Sequence, residues 1–562
     1  MKVKEFYQTY LDIKNPFSHQ LQFFHLALSN KFPILVKAPT GSGKTEMAIA
    51  PFLRQFVEGQ FTIAPRLIYV LPMRVLVNTL VERIKKYVSK ISPFISVKIQ
   101  HGDAPNSPFF IADIVVTTLD QFLYGFARSS KQVGKHIDMP AGALASSLVI
   151  FDEAHMYRDE FTFSIMRALL EILYQSKIPF VVMTATMPES LEKSLFENID
   201  FSEEQKIVGD LPIESEVKIS LAEEPMYNED EVNISEEILQ RIKSKRTLIV
   251  VNQVKRAQRV YEEVKNRLEF NNNQIVLLHS RFTKKDREIL ENKALSLIPH
   301  KENGKVVVPE EVGIVISTQV LEAGIDFSAE LLLTEVAPAD ALIQRAGRCA
   351  RYKEENGEMI IFPVEDDKGF LPYERDYIAK TIEWLNSHPN FNIKDFSQAC
   401  DFVNILDYRA NDYEARDTLI DLYECVLYAD DVPKNIQLRK NKPVKILIVE
   451  PKEGKNKKEQ LINALKKWKR EDWQNNSLEV DIKTAWSWFK PQEGKDMIIQ
   501  WRLVWKYNEE KDKYEFDIIN LFENKKSPED EDSRIEPFGT YIIESAYYSN
   551  NIGIRNDGSI FI

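Results

Sequence analysis

The stretch Ala38-Pro39-Thr40-Gly41-Ser42-Gly43-Lys44-Thr45 constrains the fold more than any other part of the chain. The apolar run Ile34-Leu35-Val36 before it reads as a buried strand, and Glu46-Met47-Ala48-Ile49-Ala50 after it reads as the first turns of a helix. Strand, glycine-rich loop and helix, in that order, form the setting that a phosphate-binding loop requires. Gly41 and Gly43 let the backbone wrap closely, so that the N–H groups of the loop that Pro39 opens, from Thr40 to Gly43, can face phosphate oxygens. The helix N-terminus adds partial positive charge. Lys44 can reach the outer phosphates, and the Thr45 hydroxyl can ligate Mg²⁺. An ordinary glycine turn before a helix is the bland alternative.

The residues around and beyond this loop favour the chemical reading. Residues 1–30 read as one or two helices, and beyond the loop the chain alternates strand and helix. Leu67–Leu71, Val97–Ile99 and Asp113–Val116 read as strands and Val75–Val88 as a helix. Such alternation implies a parallel sheet with helices on both faces, and ligands then collect at the carboxyl ends of the strands. Leu148-Val149-Ile150-Phe151 is a buried strand that ends in Asp152-Glu153-Ala154-His155. Asp152 at a strand tip can hold Mg²⁺, and Glu153 can orient and polarise an attacking water. Val181-Val182-Met183-Thr184-Ala185-Thr186 is a further strand whose terminal hydroxyls can hydrogen-bond the acidic loop.

A second alternating pattern comes after an acid-rich connector near residues 203–235. Thr247–Val251 leads into Asn252, Ile275–Leu278 into His279-Ser280-Arg281-Phe282, and Val312–Ile316 into Ser317-Thr318-Gln319. There is no second phosphate-binding loop in this half, so it is expected to complete a site rather than own one. Gln344-Arg345-Ala346-Gly347-Arg348-Cys349-Ala350-Arg351 supplies cations: Arg348 and Arg351, three apart, are expected on one helix face, where their forks can meet an outer phosphate. A basic solvated helix is the alternative.

By motif order and spacing across roughly 20–355, the chain resembles superfamily 2 helicases with a DEAH-type box. Within them it is similar to the CRISPR-associated helicase of type I interference systems. The residues that carry the likeness are Thr117-Thr118-Leu119-Asp120-Gln121-Phe122, Leu278-His279-Ser280-Arg281-Phe282, Ser317-Thr318-Gln319 with Glu322 and Asp326, and Gln344-Arg345. The resemblance implies ATP-driven movement along single-stranded DNA with 3′ to 5′ polarity. It gives Gln20, 21 residues before Gly41, an adenine-reading role, with Gln22 as a competitor. It places Asp326 at the nucleotide and Arg74, Thr118 and Thr318 on the DNA backbone, where contacts hold register without reading sequence. Many family members carry a fused HD nuclease, yet none of the eight histidines here is followed by aspartate. The resemblance is therefore to a helicase-only form, served by a separately encoded HD nuclease and a crRNA-guided surveillance complex.

Composition narrows the setting. At 562 residues the chain is too long for one core. Hydrophobic content of 44% and charged content of 28% are ordinary for a globular protein. No apolar run is long enough to span a membrane, and Met1-Lys2-Val3-Lys4-Glu5-Phe6 lacks a signal-peptide core. Cys349, Cys400 and Cys425 stand far apart in sequence, which points away from disulfides and zinc and toward a reducing cytoplasm. The net charge of −12 excludes a coat of nonspecific positive charge but not a local basic groove.

The last third differs in composition. All seven tryptophans lie at Trp384 or beyond, and residues 434–470 hold thirteen basic and three acidic side chains. Basic residues interleaved with aromatics can track a nucleic-acid backbone and stack on bases; a solvated lysine face with core tryptophans behind it is the competing reading. Residues 523–536 read as a charged loop. The expected architecture is α/β: two tandem RecA-like parallel-sheet domains, 1–205 and 206–385, and a C-terminal accessory domain, 386–562. The expected cofactors are ATP and Mg²⁺. An RNA helicase of the same superfamily and a nucleotide-binding scaffold of a nucleic-acid complex are the rival functions.

Overall fold

The computed structural model describes residues 1–29, 31–102, 104–157, 160–209, 215–228, 231–271, 273–302, 305–321, 326–364, 369–407, 417, 443–489, 497–508, 513–522 and 535–555. Glu322, the basic stretch 434–442 and most of the charged stretch 523–536 lie outside the described residues. The chain divides into two compact units, Met1–Ile213 with Trp384–Lys440, and Glu214–Glu383 with Asn441–Ile562.

The first unit is built on an eight-stranded sheet. Its order is Ala104–Pro105, Val97–His101, Ile114–Thr118, Arg66–Leu71, Ser147–Phe151, Phe180–Thr184, Leu35–Lys37 and Lys206–Val208. All neighbours are parallel except the hairpin at the Ala104 edge. The central strands are buried along their whole length, as continuous apolar runs in a sheet covered on both faces must be. One cover packs Phe122, Leu169 and Leu173 against the sheet, and the other packs Met47, Phe52 and Val81. The N-terminal residues form the helices Val3–Leu11 and Ser18–Ala27. The strand Lys206–Val208 lies past position 205 and completes this sheet beside Leu35–Lys37.

The second unit holds a six-stranded, fully parallel sheet in the order Ile275–Leu278, Ile314–Ser317, Thr247–Val250, Leu331–Glu335, Asn356–Phe362 and Glu216–Leu221. The acid-rich connector is thus not merely a connector. Its residues Glu216–Leu221 pair with Asn356–Ile361 as an edge strand, with mostly exposed side chains, which is why no apolar run announces it. The same unit carries a mixed five-stranded sheet in the order Ser477–Asp481, Pro443–Val449, Thr540–Glu544, Trp501–Asn508 and Lys513–Asn520. The architecture is therefore two tandem RecA-like parallel sheets with a C-terminal accessory domain.

That accessory domain is stitched to the second RecA-like sheet through the chain's last described residues. Gln258 Nε2 donates to the Ile552 and Ile554 carbonyls, both at 2.9 Å, and His279 Nε2 lies 2.9 Å from the Ile552 carbonyl. The Tyr548 hydroxyl donates to Asp286 at 2.6 Å, and Arg555 pairs with Glu262 at 2.7 Å. Burial, and then the Arg281 charge, push the His279 pKa down to about 3, which favours the neutral ring in this contact.

Candidate functional site

The parallel arrangement brings the chemical motifs of the first unit to one edge. Leu35–Lys37 feeds the phosphate-binding loop; Phe180–Thr184, its neighbour, feeds Ala185 and Thr186; the next strand, Ser147–Phe151, delivers Asp152 and Glu153. Arg66–Leu71 then leads to Arg74, and Ile114–Thr118 ends at Thr118. Motifs separated by more than a hundred residues meet because every one of these strands ends on the same side.

Within the loop, Gly41 and Gly43 take φ of +86° and +73°. The positive φ at Gly43 favours glycine, and a Cβ there would also push the Gln20 amide off its hydrogen bond to the Gly43 carbonyl. Lys44 is 7% exposed and heads the helix Lys44–Glu58; its ammonium donates to the Ala38 and Pro39 carbonyls at 2.8 and 3.1 Å. The lysine is thus folded into the cradle where phosphates would sit. The buried Ser42 hydroxyl has no hydrogen-bond partner among the described residues, and Thr40 and Gly41 are exposed at the rim. These features fit a triphosphate.

Gln20 is engaged by the protein itself. Its Oε1 accepts from the Phe17 N–H at 2.9 Å, and its Nε2 donates to the Gly43 carbonyl at 3.1 Å. The amide therefore ties the helix Ser18–Ala27 to the loop; His19 reinforces the tie, with Nε2 2.9 Å from the Ser42 carbonyl. Gln20 is 1% exposed, so in this state it braces the loop rather than presenting a free base-reading edge.

The acidic motif shows how its parts are held. Asp152 is buried, and its carboxyl is pushed up to about 6 by burial and by the neighbouring Glu153 charge. Asp152 accepts from the Glu153 N–H at 2.8 Å and from the Tyr69 hydroxyl at 2.6 Å. Glu153 sits at φ +55°, ψ +41°, a left-handed conformation unusual for glutamate. Its Oε2 lacks a hydrogen-bond partner among the described residues and lies 3.6 Å from His155 Nδ1. The same His155 nitrogen is 3.2 Å from the Thr184 hydroxyl, which donates to the Thr186 carbonyl at 2.9 Å. The expected link between the acidic loop and the hydroxyls of the next strand is therefore present.

Tyr69 is a member of the site that the sequence does not single out. It is fully buried in the middle of a strand and looks in sequence like one more apolar core position. Its phenol bonds Asp152 and is also reached by the Thr45 hydroxyl, so one hydroxyl bridges both expected Mg²⁺ ligands. Replacing Tyr69 by Phe leaves the buried Asp152 carboxylate with the Glu153 N–H but without its side-chain donor. We expect half-saturation of ATP turnover to need roughly tenfold more Mg²⁺, because hydrogen bonds to charged groups contribute about 1.5–3 kcal/mol. Loss of a donor to the ionised form also raises the Asp152 pKa, so the acid limb of the activity profile should move to higher pH. A Tyr69→Phe protein that merely melts earlier, with unchanged Mg²⁺ response and pH profile, would make Tyr69 a packing residue.

The second unit corrects one expectation. Its helix is Ala339–Ala346 and stops before Arg348 and Arg351, which therefore share no helix face. The chain leaves the helix because Cys349 forms a β-bridge with Ala329 and Ala350 takes φ +43°. Arg348 is 9% exposed, so it is not a solvated surface arginine either. Arg351 Nε donates to Asp326 at 2.6 Å, and Tyr352 lies on the same carboxylate at 3.3 Å. Burial raises the Asp326 pKa, but the Arg351 charge outweighs it and holds the carboxyl below its ordinary range. Two residues read independently as nucleotide contacts are thus brought together. Arg345, buried beside them in sequence, serves the fold: it donates to Thr334, to the Glu335 carbonyl, to Asn252 and to Tyr373.

Thr118 and Thr318 prove to be structural equivalents. In the first unit the Thr117 hydroxyl donates to the Gln100 carbonyl of the adjacent strand and to the Thr118 carbonyl. In the second the Ser317 hydroxyl donates to the Leu278 carbonyl of its adjacent strand and to the Thr318 carbonyl. Each threonine follows the same strand-end device, and they are 4% and 3% exposed. Arg74 begins the helix Arg74–Val88, with its guanidinium packed over Gly102. The structure thus puts Thr118 and Arg74 at carboxyl ends of the first sheet and Thr318 at the corresponding end of the second.

The chain is similar to known helicases in sequence and fold. Residues 17–194 match the DEAD/DEAH box helicase family model, and residues 243–354 match the model for the C-terminal part of the CRISPR-associated nuclease/helicase Cas3. The CRISPR-associated helicase Cas3 of Thermoproteus tenax is 32% identical over 368 residues, 63% of this chain and 59% of that protein. The chain spans 59%, 57% and 42% of the length of three such curated relatives. The crystal structure of T. fusca Cas3 superposes with a TM-score of 0.66 at 17% identity, covering 96% of this chain and 69% of that one. A chain of a CRISPR RNA-guided surveillance complex in a pre-nicking state does so with a TM-score of 0.56 at 19% identity, covering 84% and 64%. Among the described residues no helix is long and apolar enough to cross a membrane.

Proposed function

We propose that this Cas3-like helicase chain is an ATP-driven translocase on single-stranded DNA, moving 3′ to 5′ and unwinding target DNA in type I CRISPR interference. The observation that carries the reading is the convergence of Lys44, Thr45, Asp152, Glu153 and the Thr184–His155 contact at one sheet edge, in a chain whose relatives are Cas3 helicases.

In this reading Lys44 and the loop N–H groups from Thr40 to Gly43 hold the triphosphate, Pro39 shapes the start of the loop, and Gln20 reads the adenine after releasing the Gly43 carbonyl. Thr45 and Asp152 would hold Mg²⁺, which when bound neutralises charge on the phosphates. Glu153 takes a proton from the attacking water. Arg348, Arg351 and Asp326 act from the second RecA-like half, where the arginines stabilise charge developing on the outer phosphate. Arg74 and Thr118 in the first half, and Thr318 in the second, contact the DNA backbone, the two threonines each at the end of a strand.

The chain is, on this proposal, a DEAH-type enzyme of the cytoplasm that meets DNA through a crRNA-guided surveillance complex. Its nuclease, in this reading, is a separately encoded HD protein. The deciding experiment compares ATP turnover of the purified chain alone, with poly-dT and with poly-rU. Strong stimulation by poly-dT and little by poly-rU is expected, along with no cleavage of plasmid or single-stranded DNA under Mg²⁺, Mn²⁺, Co²⁺ or Ni²⁺. Equal stimulation by RNA would favour an RNA helicase, because a DNA motor need not accommodate the 2′-OH. No turnover under any condition would leave a nucleotide-binding scaffold.

A further inference from the structure

The accessory sheet carries an aromatic corner that the motor reading leaves unused. Its strand Trp501–Asn508 alternates, so Trp501, Leu503 and Trp505 project to one face. Trp501 and Leu503 are 7% and 6% exposed, packed in a core with Leu447, Leu461, Leu465 and Ile518 beneath the helix Lys457–Lys466. Trp505, two residues on, is 57% exposed. The cover ends between Leu503 and Trp505, and a large ring is left open to solvent at the edge of an otherwise finished core.

That ring is held rather than loose. Trp505 lies 5.9 Å from Trp473 and 5.8 Å from Phe516, its register partner on the adjacent strand. Trp473 in turn stands edge-on to Trp468 at 5.4 Å and to Phe516 at 5.5 Å. Four rings thus form one continuous wall, of which Trp505 is the open end. Trp468 belongs to the turn Lys466-Lys467-Trp468-Lys469-Arg470, which joins the helices Lys457–Lys466 and Arg470–Asn475. Lys466, Lys467, Lys469 and Arg470 are all exposed, and none pairs with a described carboxylate. By contrast Lys458 and Lys506, beside the same wall, share one carboxylate, Asp517, at 3.2 and 3.6 Å.

We propose that this corner is a second contact for single-stranded nucleic acid, with a base stacked on Trp505 and the flanking phosphates on Lys466, Lys467, Lys469 and Arg470. A rigid, exposed ring beside a cluster of unneutralised cations matches an anionic polymer that carries flat apolar groups at each repeat. An apolar protein partner would satisfy the ring but leave the four charges uncompensated. The site lies on the accessory domain and uses none of the residues assigned above to the DNA backbone. It rests on the motor reading only in taking single-stranded nucleic acid as the polymer that the chain meets.

The test is anisotropy of a fluorescein-labelled oligo-dT bound to the full chain over a range of salt concentrations. It uses Trp505→Ala, Trp505→Phe and the combined Lys466→Gln, Lys467→Gln, Lys469→Gln, Arg470→Gln variant. Trp505→Ala should weaken binding roughly 5- to 150-fold with an unchanged salt slope, and Trp505→Phe should retain most of the affinity. The combined variant should flatten the salt slope, since fewer phosphates are neutralised. An abasic oligonucleotide should bind wild type as weakly as Trp505→Ala binds oligo-dT. All variants should melt as wild type does, because the altered groups are exposed. Wild-type affinity in Trp505→Ala together with a wild-type slope in the combined variant would overturn the proposal and leave the corner as a protein-docking face, with the motor reading intact. A wild-type chain that binds no single strand at all would overturn both.

Discussion

Lys44→Ala is expected to abolish ATP turnover, and Glu153→Gln to retain nucleotide binding while losing turnover by roughly 10²–10⁴-fold. The two substitutions probe different steps. Lys44 is folded inside the loop, its ammonium bonded to the Ala38 and Pro39 carbonyls. A phosphate that enters must draw it off those carbonyls, and alanine leaves nothing to draw. Nucleotide affinity should therefore fall along with turnover, as read by binding of a fluorescent nucleotide. Glu153 stands in a left-handed conformation with one carboxylate oxygen lacking a hydrogen-bond partner among the described residues. A buried acceptor with no hydrogen bond is costly to keep, which fits the proposed role in orienting the attacking water. Glutamine keeps the shape but cannot accept the proton. Normal turnover in Glu153→Gln would remove this residue from the chemistry.

Arg351→Ala is expected to lower turnover by about 10³–10⁵-fold with little change in melting temperature, the range for arginines that stabilise transferring phosphoryl groups. Its present partner, Asp326, is half exposed, and surface pairs of this kind add about 0–1 kcal/mol to stability. Arg348 requires a different variant. Because it is buried, Arg348→Ala would mix lost chemistry with lost packing, whereas Arg348→Lys keeps most of the stem and the charge. The lysine should fold like wild type yet turn over slowly, since an ammonium cannot present two parallel donors to a phosphate. If melting collapses with activity in Arg351→Ala, these arginines hold the fold and not the transition state.

Much of the site is legible in the sequence alone. The strand–loop–helix at 34–50 and the acidic strand end at 152–153 are local patterns, each set by backbone demands over fewer than about twenty residues, whereas Thr118 and Thr318 are reached only through the resemblance. The strands that deliver them are continuous apolar runs, and the observed bounds differ from the expected ones by one or two residues, as at Arg66–Leu71 and Ile314–Ser317. Tyr69 is not legible, because an apolar strand in which one ring bears a hydroxyl looks the same whether or not a carboxylate waits 83 positions away. The edge strand Glu216–Leu221 escapes notice because an edge with exposed side chains needs no apolar pattern.

The chain's residues taken in order determined which chemistry is present: a triphosphate cradle, two carboxylates, a set of arginines and a tryptophan-rich tail. Only the folded chain decided their use, because that depends on partners distant in sequence. The bridge Ala329–Cys349 ended a helix short of Arg351 and turned that arginine onto Asp326. Cross-strand pairing set Trp505 against Phe516 while the helix above stopped short of it, leaving one tryptophan open where its neighbour Trp501 is covered. Local sequence encodes what a segment can be; burial and hydrogen-bond partners, which are long-range, settle what it does.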